Sequence, residues 1–112
     1  MSFNVNRLMK QLEKVQADVA RAQEELKNRR VEATAGGGAV TAVVNGSGVL
    51  QSLQIRREAL GEEFGAEDLE MLQDMIVAAV SEAQRQAREV AAQEMSKVTG
   101  GLGGLPGLEH LL

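Results

Sequence analysis

The sequence predicts an α+β fold in the order long helix, three-stranded antiparallel β-meander, long helix. Three observations predict it. Apolar residues recur at alternating steps of three and four through residues 5–26. A stretch of alternating Val, Thr and Ala surrounds Asn45-Gly46. A second apolar stripe then runs from Leu69 to Val98 and stops at Gly100 and Gly101.

The first helix is expected over about residues 4–29, because Val5, Leu8, Leu12, Val15, Val19, Ala22 and Leu26 keep the a/d spacing of a coiled coil for three heptads. No Gly or Pro interrupts it. At about 1.5 Å per residue it would be roughly 40 Å long, an arm more than a core helix. "VEATA", residues 31–35, supplies a short first strand, joined by Gly36, Gly37 and Gly38 to a hairpin of residues 39–45 with 48–56. Asn45-Gly46 offers the left-handed φ angles that a tight two-residue turn needs. With Asn45-Gly46 or Gly46-Ser47 as the central pair, Val40, Ala42 and Val44 share a face with Val49, Gln51, Leu53 and Ile55. That face is more apolar than the one carrying Thr41, Val43, Leu50, Ser52 and Gln54, so it should be the buried one.

An acidic connector, residues 57–65, leads to the second helix, expected over about 66–99. Glu67, Asp68 and Glu70 suit the positive end of its dipole and Lys97 the negative end. Leu72, Ile76, Ala79, Val80, Ala83, Ala87, Val90 and Ala91 continue its stripe, for a second arm of roughly 45–50 Å. Residues 1–99 thus read as a single domain. Residues 100–112, "GGLGGLPGLEHLL", read as a flexible Gly-rich tail whose leucines could fold onto a partner.

A chain of 112 residues fits one compact domain, yet its only aromatic residues are Phe3 and Phe64 and its apolar share is mostly Ala, Val and Leu. Two amphipathic seams and three short strands with open edges are more than one copy can satisfy, so a homodimer is expected. The hub of that dimer is expected at Val40, Val44, Val49, Leu53 and Ile55. The absence of cysteine removes disulfides and thiolate metal sites. No apolar run approaches the roughly 20 residues of a membrane span, and the start "MSFNVNRLMKQ" has no apolar signal region, so a soluble cytoplasmic protein is expected.

Catalytic readings find little support. The loop at residues 36–38 lacks the Lys-Ser/Thr of a phosphate loop and opens no helix, so a turn explains its glycines. The acidic cluster Glu62, Glu63, Glu67, Asp68 and Glu70 matches no EF-hand spacing and reads as a solvated connector, not a metal site. The only histidine, His110, lies in the tail, and no serine has an evident base partner. A protein that is not an enzyme, with no cofactor and no small-molecule substrate, is the expectation.

"LMKQ" at 8–11, "GGGAVTAVVNGSGVLQSLQI" at 36–55, "EMLQDMIVAAVSEAQRQA" at 70–87, "EMSKVTGG" at 94–101 and "LPG" at 105–107 together resemble the YbaB/EbfC nucleoid-associated proteins of bacteria. The resemblance implies a tweezer-like homodimer with a central sheet and projecting helical arms that binds double-stranded DNA and helps to organise the nucleoid. Arg56 and Arg57 stand where that family often has an acidic-proline pair, a departure that bears on the local turn.

The net charge of −4 conceals an uneven distribution: residues 3–30 sum to +3 and residues 56–74 to −5. Arg7, Lys10, Lys14 and Arg21 advance by three, four and seven, forming one stripe beside the apolar seam, and Arg85, Arg88 and Lys97 follow on the second helix. These cations either solubilise a coiled coil, partly neutralised by Glu13, Asp18, Glu24 and Glu25, or track phosphates. The family resemblance favours phosphates, with weak sequence preference and possible bridging of two duplexes by one dimer. The alternative is a chaperone or scaffold whose helical arms clasp polypeptides, with Met9, Met71, Met75 and Met95 as adaptable contacts.

Overall fold

In the computed structural model, which describes residues 4–100 apart from the side chain of Thr99, Asn4 opens the first helix, α1 (Val5–Lys27). Its side-chain oxygen accepts the Arg7 amide at 3.1 Å, satisfying one of the donors that a helix start leaves unpaired. The helix ends at Asn28, whose amide turns back to the Glu25 and Leu26 carbonyls. Only Ala22 and Leu26, at the C-terminal end of the seam, are buried.

Three strands follow, β1 (Arg30–Ala35), β2 (Val40–Asn45) and β3 (Leu50–Ile55), paired antiparallel in the order β1-β2-β3. The β2–β3 turn differs from the two-residue turn that the sequence suggests. The Asn45 amide donates to the Val49 carbonyl and the Gly48 amide to the Asn45 carbonyl, both at 2.9 Å, so residues 46–48 form a three-residue loop. The left-handed φ falls on Gly48, at +84°, and not on Asn45 or Gly46. The cause is the Asn45 side chain, whose oxygen accepts the Ser47 and Val49 amides at 3.0 Å each and so fixes the backbone within the turn.

That turn shifts the register beyond it. Val40 opposes Ile55, Ala42 opposes Leu53 and Val43 opposes Ser52, but an irregularity between Val43 and Val44 brings Val44 opposite Leu50. Gln51 is the extra residue, and such a bulge switches which side chains share a face. Val49 and Gln51 therefore leave the face on which the sequence placed them, and Leu50 takes their place beside Val44.

The second helix, α2 (Ala66–Thr99), starts after a short 3-10 turn, Arg57–Leu60, within the acidic connector. The Asp68 carboxylate accepts the Gly65 amide at 2.8 Å, half of a capping box, since glycine has no side chain to return the bond. α2 packs on β1 and β2. Its Ala79, Ala83 and Ala87, spaced one helical turn apart, are all but fully buried against Val31, Ala33, Val40, Ala42 and Val44. Small side chains on the helix let it lie close to the sheet.

Within a single chain the five residues expected at the dimer hub are unequally exposed. Val40 and Val44 have no exposed surface within a single chain, because α2 of the same chain covers them. Val49 has moved to the opposite face. Of the five residues only Leu53, half-buried, and Ile55, exposed, remain open on the α2 side of the sheet.

Gly46 ties the hairpin to α1. Its amide donates to the Leu26 carbonyl at 2.7 Å, and a Cβ there would stand 2.6 Å from that same oxygen. Backbone on both sides leaves no flexible group to give way. Gly46→Ala is expected to cost about 1–3 kcal/mol, as overpacking does elsewhere, read as a lowered midpoint in thermal unfolding followed by circular dichroism. An unchanged midpoint would show that helix and hairpin separate freely.

Candidate nucleic-acid interface

α1 and α2 run antiparallel and side by side over only part of their lengths. At the sheet end, Gln23, Leu26 and Lys27 face Arg88, Ala91 and Met95 across a cleft closed by the hairpin turn. Further out, Asp18, Arg21, Ala22 and Glu25 face Glu94, Lys97 and Val98. Asp18 is thus level with the last turn of α2, and the part of α1 before it projects about 20 Å beyond, at about 1.5 Å per residue. Val5, Met9 and Leu12 on that projection are 56%, 51% and 37% exposed.

Arg7, Lys10 and Lys14 lie on the same projection, all exposed, and make no ion pair with any described residue. At about 100° per residue they stand roughly 140° around the helix from the seam, on the side facing solvent, so the stripe is opposite the seam more than beside it. Arg21 continues the stripe but is 3.5 Å from the Asp18 carboxylate.

The cations of α2 are differently placed. Arg85 is held between two carboxylates, at 2.6 Å from Glu82 and 2.7 Å from Glu89. The hydrogen bond from Arg85, followed by one from Gln86, holds the Glu82 carboxyl down at about 2, and Glu82 in turn holds the guanidinium above its ordinary range. The trio carries a net negative charge at neutral pH. Lys97 is paired with Glu94 at 3.3 Å. Arg88 makes no ion pair with a described residue and lines the cleft beside Lys27. The structure therefore gathers Arg7, Lys10 and Lys14 on one free arm, places Arg88 near the sheet, and neutralises Arg85 and Lys97.

Because the folded-state value of Glu82 is depressed, its contribution is present above about 4.5 and is lost as pH falls towards about 2. The trio is exposed and screened, so the effect on stability is small. Arg85→Ala is expected to return the Glu82 carboxyl towards 4.5, observable in an NMR titration of the glutamate side chains. A value still near 2 would show that Arg85 is not the cause.

Two contacts escaped the sequence. Glu94 also accepts Arg29 at 3.3 Å, pinning the junction of α1 and β1 to α2. Gln84 donates to the Gly48 carbonyl at 3.1 Å, pinning the hairpin turn to the same helix. Both join residues far apart in the chain, so no local spacing announces them. In the glycine loop at 36–38 all three residues take a left-handed φ, and the Met75 thioether of α2 lies directly over Gly36. His110 and the remainder of the tail lie outside the described residues. No helix among the described residues is long and apolar enough to cross a membrane.

Residues 1–102 match the model of the YbaB/EbfC DNA-binding family. A nucleoid-associated protein of Acetivibrio thermocellus is 52% identical over 105 residues, covering 94% of this chain and 89% of its own. Another, of Pelotomaculum thermopropionicum, is 52% identical over 108 residues, covering 96% and 98%. The crystal structure of an uncharacterized protein from Helicobacter pylori shares the fold with a TM-score of 0.67 at 24% identity, covering 82% of this chain and 92% of that one.

Proposed function

The chain belongs to the YbaB/EbfC DNA-binding family, and we propose that it binds double-stranded DNA in the nucleoid of a bacterial cytoplasm through the projecting α1 arms of a homodimer. The observation that carries this reading is the set Arg7, Lys10 and Lys14, three exposed cations without a described carboxylate partner, aligned on an arm that extends past the rest of the chain. Such a row meets successive phosphates and gains its free energy by releasing condensed counterions. Sequence preference is weak, because a row of Lys and Arg on a helix flank reaches backbone and not base edges. Arg21 extends the row when it leaves Asp18, and Arg88 offers a separate contact near the sheet. Arg85 and Lys97 contribute little while their carboxylates hold them.

The dimer supplies a second arm and, with it, the means to bridge two stretches of duplex. We take its contact to lie at β3, where Leu50 and Ile55 are 45% and 40% exposed on the α2 side of the sheet but beyond the strands that α2 covers. Neither catalysis nor a small-molecule substrate enters this reading.

The test is a titration of duplex of arbitrary sequence at several salt concentrations. Six neutralised phosphates, three per arm, predict a log-log slope of about −5, from about −0.9 per phosphate. No binding at low salt, or a slope near zero, would sink the reading.

A further inference from the structure

We propose that in the homodimer the cleft between α1 and α2 receives the acidic connector of the second copy, with the partner's Phe64 seated on its apolar lining. This rests on the dimer contact proposed at β3. The cleft encloses about 630 Å³ and is lined by Leu26, Ala91 and Met95 together with the cations Lys27 and Arg88. Arg88 makes no ion pair with a described residue, and Lys27 has only the exposed Glu24 at 3.5 Å. The connector is the complement of that surface. Phe64, 47% exposed, stands among the exposed carboxylates Glu62, Glu63 and Glu67. An aromatic ring supplies the buried anchor of a contact between chains, and charges of opposite sign around it set the register.

Within one chain the two surfaces cannot meet. α2 crosses the sheet from Met75, which lies over Gly36, to Gln84, which donates to the Gly48 carbonyl, so connector and cleft belong to opposite ends of the sheet. From Ala66 to Ala91 the helix alone spans about 38 Å, at about 1.5 Å per residue. A two-fold axis beside β3 removes that separation. β3 is an edge strand, and antiparallel pairing with its counterpart about the middle of the strand sets the partner's Ile55 level with Leu50. The partner's connector then leaves its own sheet beside the hairpin turn 46–48, which closes the cleft. The same axis carries this chain's connector to the partner's cleft, so the contact occurs twice and the assembly closes at two chains. Arg88 is then shared with carboxylates in the dimer, and the row on α1 carries the grip on DNA.

The test needs no DNA. The chain has no cysteine, so Glu63→Cys with Ala91→Cys gives each chain two thiols that its own α2 holds far apart. A short bis-maleimide is therefore expected to join them only between chains, giving a covalent dimer on a denaturing gel at concentrations where sedimentation equilibrium also shows a dimer. Phe64→Ala, and separately Lys27→Glu with Arg88→Glu, all at exposed positions, should remove most of that band while circular dichroism shows the fold intact. A dimer by mass that gives no covalent dimer, or a band that survives both changes, overturns the inference and leaves the contact at β3 standing. A chain that sediments as a monomer overturns the dimer and this inference with it. A ladder of covalent species larger than two chains also overturns it, since the connector would then reach the cleft of a neighbouring dimer.

Discussion

A chain in which Arg7, Lys10 and Lys14 are all changed to Glu is expected to release duplex DNA at salt concentrations where the unaltered protein stays bound. Its salt slope should be shallower by about 0.9 for each phosphate no longer neutralised, or by about 5 for a dimer. The effect is large because reversal removes the attraction and adds repulsion on an arm that already carries Glu13. Folding should survive. The three side chains are exposed, glutamate is a good helix former, and like-charge pairs one turn apart cost only about 0.2–0.5 kcal/mol each. Circular dichroism checks this directly. Arg85→Gln is the informative contrast, since that guanidinium is already shared between Glu82 and Glu89. If Arg85→Gln flattens the slope as much as the triple reversal does, the grip lies on α2 and the α1 assignment is wrong.

The two helices and the three strands were legible because each carries an apolar period in its sequence, even where one chain leaves most of that face open, as in α1 and β3. The hairpin turn was not. Asn45-Gly46 has the residues of a two-residue turn, but the Asn45 side chain holds the Ser47 and Val49 amides, and this local competition selects a longer loop. One added residue then exchanged Val49 for Leu50 across the sheet. Which partner covers an apolar face is likewise absent from a pattern. Val40 and Val44 announce burial, and burial by α2 of the same chain satisfies that pattern as fully as burial by a second copy would. Among the cations, the i,i+3 and i,i+4 spacing of Glu82, Arg85 and Glu89 was present in the sequence and marks the pairing that occurs. The bond from Arg29 to Glu94 depends on how the chain folds back and leaves no such mark.

Leu50→Lys combined with Ile55→Lys is expected to yield a folded monomer, observed as half the mass in sedimentation equilibrium. Both side chains point to the α2 side of the sheet, opposite Val44 and Val40, but lie beyond the strands on which α2 packs. They are 45% and 40% exposed in one chain, so two lysines there can keep their ammonium groups in water while the chain is alone. A second copy seated on β3 would have to desolvate those charges without partners, which costs more than the apolar contact it replaces. The monomer should then bind duplex with a slope of about −2.7, because one arm neutralises three phosphates where two arms neutralise six. The two readouts must move together if the dimer is what brings two arms to DNA. A variant that stays dimeric places the interface elsewhere, and the exposed Phe64, Leu69 and Val77 become the surface to change. A variant that is monomeric yet keeps the full slope shows that one arm alone neutralises every phosphate the protein meets.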